Sequence, residues 1–232
     1  MPESSVAKLE ARIAALEARV AQLEGGAKRP AAGRTGSSDR PAAKVASVAG
    51  WSQPYAVAEV EVSETWIEIH EPSARPQLQR LIRQVVELEG PVTDRLALDR
   101  IRRAWGLRRA GGRVQEAFDQ ALRQLLARGL VERAGDSLAT PGRVLESVRV
   151  PTDDEATRRG AEDVPLVELA LAIWRVTQGV GRGAVDDITM QVAKVFGWTR
   201  RGGAIQERLD LAVERAIDDR LVERAGTDLR PV

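Results

Sequence analysis

The sequence predicts a mainly α-helical protein with small β ribbons, built from a repeated unit behind a short N-terminal coiled coil. Three observations predict it. Residues 4–24 carry apolar side chains at alternating three- and four-residue spacing. Residues about 76–141 and 167–232 align without a gap at an offset of 91. Within each copy, helical apolar stripes run into a short alternating segment broken by a glycine turn.

The totals bound the function classes. A chain of 232 residues with formal net charge +1 has no global charge excess that would announce nucleic acid or a membrane surface. It has no cysteine, which excludes disulfide frameworks and thiolate metal sites. No run approaches the roughly 18 apolar residues of a membrane span. The opening "MPESSVAKLE" is polar, unlike a signal peptide, and a cytoplasmic location is expected.

In residues 4–24, Val6, Ile13 and Val20 fall at heptad position a, and Leu9, Leu16 and Leu23 at d. β-Branched a with Leu at d favours a parallel two-stranded coil. Arg12 and Arg19 fall at g, and Glu17 and Glu24 at the e positions they would meet across such a seam. The chain is therefore expected to pair with itself; a single amphipathic helix docked on its own body is the alternative. Residues 25–50 are rich in Gly, Pro, Ala and Ser and read as a flexible linker. Residues 51–75 form a lead-in whose stretch "YAVAEVEVSETWIEI" alternates apolar and polar, predicting one or two short strands.

The first copy spans residues 76–145. Its opening helix carries Leu78, Leu81, Ile82, Val85, Val86 and Leu88 and ends at Gly90-Pro91. Thr93 is placed to cap a second helix bearing Leu96, Leu98, Ile101 and Trp105. After the turn "GLRRAGG", a third helix carries Val114, Phe118, Ala121, Leu122 and Leu125, and Gly129 closes it. "LVERAGDSLAT" reads as a two-stranded ribbon. A linker, residues 146–164, leads to a second copy over 165–232, with Ile205, Leu209, Ala212, Val213 and Ala216 on its third helix. Between Trp105 and Leu138, 15 of 34 positions are identical in the second copy. Three helices and a ribbon are the layout of a winged helix, whose second and third helices form a helix-turn-helix. The repeated glycines of the turn are expected to supply positive φ or close approach at the entry to the third helix.

Residues 55–232 resemble the C-terminal region, carrying the domain of unknown function 3320, of large bacterial helicase-related proteins of superfamily one. The resemblance rests on His70-Glu71, on the Val-Val-x-x-Glu-Gly-Pro of Val85 to Pro91, and on the Gly/Arg pattern from Gly106 to Val114. It implies a role near DNA processing or defence against foreign DNA. The chain lacks a Gly-x-x-x-x-Gly-Lys-Ser/Thr phosphate loop, so the resemblance does not extend to ATPase activity.

Catalytic constellations are weak. His70 is the single histidine, and a structural role suits it better than a triad. Asp153-Asp154-Glu155 reads as solvated, and Asp186-Asp187 as the N-terminal cap of a helix. No catalytic residue, metal or cofactor is expected. Binding is more promising. Arg75 to Arg113 holds ten arginines against four acids. Arg108 and Arg109, at the mouth of the third helix, would reach the backbone of duplex DNA; Arg113 and Gln115 would lie near base edges; Arg133 in the ribbon would touch a further phosphate. Arg200 and Arg201 keep the basic turn in copy two. The third helix there carries Glu207, Asp210, Glu214, Asp218 and Asp219, which suits a protein contact or dimerisation better than DNA. Trp198 is either an anchor for such a contact or part of the core. The expected function is non-catalytic DNA binding beside a separately encoded helicase or nuclease; the alternative is an adaptor that binds only protein.

Overall fold

The computed structural model describes residues 50–63, 66–199 and 202–232. The coiled-coil positions Val6, Leu9, Ile13, Leu16, Val20 and Leu23, nearly all of the 25–50 linker, and Arg200 and Arg201 lie outside the described residues.

Strand β1 (Ser52–Pro54) and a 3₁₀ turn (Pro72–Ala74) precede α1 (Arg75–Glu89), β2 (Val92–Thr93), α2 (Asp94–Ala104), α3 (Gly112–Ala127), β3 (Glu132–Ala134) and β4 (Ser137–Ala139). Strand β5 (Val148–Val150) and 3₁₀ turns at Glu155–Thr157 and Ala161–Asp163 connect to α4 (Leu166–Val180), β6 (Gly183–Ala184), α5 (Val185–Val195), α6 (Gly203–Asp218), β7 (Val222–Ala225) and β8 (Asp228–Pro231). The order helix, strand, helix, helix, strand, strand thus occurs twice. Each copy closes a three-stranded antiparallel sheet, β2-β4-β3 and β6-β8-β7, in which the strand between the first two helices pairs with the last. The registers correspond across the offset of 91: Val92 faces Leu138, and Gly183 faces Leu229. At two residues each, β2 and β6 are too short to show an alternation in sequence.

The apolar stripes fill two adjacent cores, except that Leu88, expected on the stripe of α1, is exposed. Leu81, Ile82, Ile101, Phe118, Leu125 and Leu138 are buried in copy one; Leu169, Ile173, Ile188, Leu209 and Leu229 are buried in copy two. Thr93 caps α2, its hydroxyl accepting the Leu96 amide at 3.3 Å. The aromatic-glycine pair ends the second helix of each copy. Gly106 (φ 75°) and Gly197 (φ 74°) take the left-handed conformation. The next amides, of Leu107 and Trp198, return to the carbonyls of Arg102 and Ala193 at 2.8 and 2.9 Å. The Gly-Gly pairs differ from expectation. Gly111 and Gly202 have φ of −75°, and an added Cβ at Gly111, Gly112, Gly202 or Gly203 would meet nothing within 4 Å. The left-handed turn therefore needs the first glycine, and the fold leaves open space at the pair.

Two expectations for the connecting segments are corrected. The alternating stretch 55–69 forms no strand among its described residues; the lead-in strand is Ser52–Pro54. Tyr55, Ala58 and Ile69 are buried and Val57, Val60 and Val62 partly so, but beyond the Tyr55 amide, which donates to the Val150 carbonyl at 2.8 Å, this peptide joins no ladder among its described residues. The alternation records burial on one side, not a ladder. The segment 146–164, expected as a plain linker, supplies β5, which pairs in parallel with β1. It also supplies Arg149 and Arg159, both buried.

These two arginines hold the copies together. Glu168 in α4 is fully buried. It accepts the backbone amide of Arg149 at 2.8 Å, the Nε and Nη2 of Arg149 at 3.2 and 2.5 Å, and both terminal nitrogens of Arg159 at 2.7 and 2.9 Å. The Arg149 guanidinium also donates to the carbonyl oxygens of Glu89 and Pro91, at the end of α1, the latter at 2.7 Å. Arg159 lies 4.0 Å over the ring of Tyr55, whose hydroxyl donates to the buried Glu89 carboxylate. Glu89 further accepts the Ala58 amide at 2.7 Å and Nε of Arg100 at 2.9 Å. Burial pushes the Glu168 carboxyl up, but the guanidinium groups of Arg159 and Arg149 outweigh it and hold the group below its usual range. Burial, reinforced by the Glu89 carboxylate, pushes the Tyr55 hydroxyl up.

The substitution Glu168→Gln leaves two buried guanidiniums without their counter-charge and is expected to lower the unfolding free energy by about 3–5 kcal/mol at neutral pH, read by urea titration. The folded carboxyl titrates below its ordinary value of 4.5, so the unfolded chain takes up the proton first. This contribution is complete above about pH 5 and is lost as pH falls through the folded value, so the gap between wild type and E168Q narrows on acidification. A second expectation concerns Arg220, the one non-glycine residue with positive φ (56°) among the described residues. It occupies the position of Gly129, so Arg220→Gly should raise the unfolding free energy by up to about 1 kcal/mol in the same titration.

Candidate nucleic-acid interface

The basic turn of copy one joins α2 to α3. Arg102, in the last turn of α2, folds back over it: Nη1 donates to the carbonyl oxygens of Leu107 and Arg108, each at 2.9 Å, and Nη2 pairs with Asp99. The turn is thus held from inside by an arginine that is itself anchored. Trp105 is buried and donates its indole N–H to the Ile67 carbonyl at 2.9 Å, tying the turn to the lead-in. On this support Arg108, Arg109 and Arg113 are exposed. None of the three forms an ion pair among the described residues. Gly111 and Gly112 sit between them at the start of α3, leaving its first amides uncovered by side chains. Three cations around the positive end of a helix form a surface suited to phosphate.

The other predicted site residues are placed differently. Gln115 is exposed but donates to Asp119 at 2.9 Å. Arg133 does not present a free guanidinium: both terminal nitrogens pair with the two Asp94 oxygens at 2.7 and 2.8 Å. The Asp94 carboxylate is the first cause that holds the Arg133 proton more tightly than usual. The β3–β4 ribbon is also committed within the protein. Asp136, at its tip, accepts the Leu166 amide at 3.1 Å and pairs with Arg208 of α6. Arg208 in turn donates to the Val164 carbonyl at 2.7 Å. The ribbon of copy one therefore docks on copy two.

The arginine-rich stretch 75–113 is more neutral than its composition suggests. Arg83, Arg95, Arg100, Arg102 and Arg103 all make ion pairs, the last with Asp99 at 2.8 Å. Among the described residues of this stretch, the arginines without an ion pair are Arg108, Arg109 and Arg113 at the turn, Arg80, and Arg75, which donates to Gln120 at 3.3 Å. Beyond its first turn, the outer side of α3 carries Glu116, Asp119 and Arg123, a net charge of −1, so the positive surface is confined to the turn and the start of the helix.

In copy two, α6 exposes Glu207, Asp210, Glu214 and Asp218, and its Arg208 is spent on Asp136. Trp198 is half-buried, stacked on Phe196 with centroids 5.1 Å apart, and donates to the Arg159 carbonyl at 2.9 Å. It serves the core and still shows an edge. Asp153, Asp154 and Glu155 are exposed, with Asp154 capping its own 3₁₀ turn. Asp186 and Asp187 lie in the first turn of α5, whose N-cap is Ala184 rather than either aspartate. His70 stands 3.3 Å from Glu68. Among the described residues no three His, Asp or Glu side chains converge closely enough to hold a metal ion, and no helix is long and apolar enough to cross a membrane.

Sequence reasoning missed the buried charges. One signal was available: Glu168 aligns with Gln77, on the inward side of the first helix, and both are buried. Gln77 accepts the Ser63 amide at 3.1 Å, so each copy uses this position to hold the peptide that precedes it.

The family model described as "Protein of unknown function (DUF3320)" matches residues 68–116, from the His70-Glu71 lead-in to the first turn of α3. The chain is similar to that family over this stretch, which contains Arg108, Arg109 and Arg113. Comparisons with curated proteins and with solved structures gave no match.

Proposed function

We propose that this chain is a non-catalytic, DNA-binding accessory protein made of two winged helices, and that copy one grips duplex DNA mainly through the backbone. The strand order supports the winged-helix reading: a strand between the first and second helices pairs with the last strand of the ribbon in both copies. The observation that carries the DNA reading is the turn itself. Where most neighbouring arginines are spent on carboxylates, Arg108, Arg109 and Arg113 stay exposed and unpaired around the start of α3. Arg133 drops out of the contact surface because Asp94 holds it. The contact is therefore the turn and the first turn of α3, and it reads phosphate more than sequence.

Copy two acts differently in this reading. Its α6 is acidic and receives the ribbon of copy one, which leaves it a role in protein contacts, with itself or with a helicase or nuclease of the DNA-processing or defence type. Residues 4–24 pair two chains through their apolar seam, which brings several weak modules to nearby sites and raises avidity. A pure adaptor is the second reading, favoured by an apolar hollow on copy two beside Met190 and Trp198.

The deciding experiment is fluorescence anisotropy with a labelled random duplex. Wild type is expected to bind with a steep salt dependence between about 50 and 200 mM, and changing Arg108, Arg109 and Arg113 together to Ala should reduce the slope of log K against log salt by about 2–3. Binding that is absent even at low salt would leave the adaptor reading.

A further inference from the structure

The two copies differ most on the outer ridge of their second helices. In copy one the ridge reads Arg95, Asp99, Arg103, and its charges are satisfied in place: Asp99 pairs with Arg103 at 2.8 Å and with Arg102, and Arg95 pairs with Asp163 at 2.7 Å. The same positions in copy two are Asp186, Met190 and Lys194. Met190 replaces the central acid and is 42% exposed. Asp186, Asp187 and Lys194 are exposed and make no ion pair among the described residues. Residues four apart lie along one ridge of a helix, and eight residues span about 12 Å, so Asp186 and Lys194 cannot reach each other within one chain. Beside Met190 lies an apolar hollow of about 540 Å³ lined by Ala193, Lys194, Gly197, Trp198 and Thr199. Ala193 stands where copy one has Arg102, so the bulk that covers this place in copy one is missing.

We propose that this ridge is a self-association face, and that α5 packs antiparallel against α5 of a second copy of the chain with Met190 beside the two-fold axis. The charge pattern selects that occupant. In an antiparallel pair centred on residue 190, each residue meets the one equally far on the other side, so Asp186 of one chain faces Lys194 of the other, twice. The ridge is self-complementary: acid at one end, thioether in the middle, ammonium at the other. The two Met190 side chains fill the paired hollows, and Ala193 lets the helices approach. Copy one has no equivalent face, because its ridge charges are already neutralised. The contact is separate from the DNA surface of copy one.

The chain has no cysteine, so one introduced thiol is unique. In the full chain, Met190→Cys is expected to form a disulfide-linked dimer under mild oxidation at least about tenfold faster than Glu207→Cys on the exposed side of α6. Adding Asp186→Lys should slow the Met190→Cys reaction by about tenfold, and adding Lys194→Asp as well should restore it. All these variants keep the same N-terminal segment, so pairing through residues 4–24 raises every rate alike. Equal crosslinking at positions 190 and 207, or a double charge exchange that stays as slow as the single one, would overturn the proposal.

Discussion

A fully buried carboxylate between two buried guanidiniums governs how the two copies meet. Glu168 belongs to copy two, Arg149 and Arg159 to the segment between the copies, and Arg149 also holds two carbonyls at the end of α1. Burying three charges carries a desolvation cost of several kcal/mol per ion, offset only when hydrogen bonds take up nearly every donor and lone pair. That condition is met here, with five N–H donors on one carboxylate. The geometry is demanding, which makes the arrangement of the copies specific: a small displacement strands a charge in the interior. Apolar surfaces alone would allow the copies to slide.

This joint has consequences for the surface. It brings the tip of the copy-one ribbon onto α6, where Asp136 engages Arg208. A ribbon used in this way is withdrawn from outside contacts, and the third helix of copy two loses a cation from its outward side. Duplication supplied two similar units, and their union made them unequal. Copy one keeps free guanidiniums at its turn, whereas copy two has acid on α6 and an apolar notch on α5. The proposed division of labour, with copy one toward DNA and copy two toward protein, rests on that asymmetry.

Much of the fold was legible in the sequence because it rests on local rules. The stripes from Leu78 to Val86 and from Val114 to Leu125 have helical spacing, Thr93 has the side chain a cap requires, and the aromatic-glycine pair ends α2 and α5. The repeat at 91 residues made each reading available twice. What was illegible depends on partners distant in sequence. The pairing of Ser52–Pro54 with Val148–Val150 joins segments almost a hundred residues apart, and neither carries enough alternation to announce itself. The same holds for the candidate site. Arg108, Arg109 and Arg113 are legible as candidates from their place around the start of α3, but Arg133 reads as equally available in a sequence that does not show Asp94, 39 residues away, holding it. Counting charge along the chain cannot tell a paired arginine from a free one.

The central claim is that DNA meets the turn of copy one and not the third helix of copy two. Hydrogen–deuterium exchange with and without a saturating duplex tests it most directly. The account predicts slowed exchange confined to residues 106–116, with the amides of α6 unchanged. Protection concentrated in residues 203–218, or an unchanged turn in a chain that binds the duplex, would contradict it.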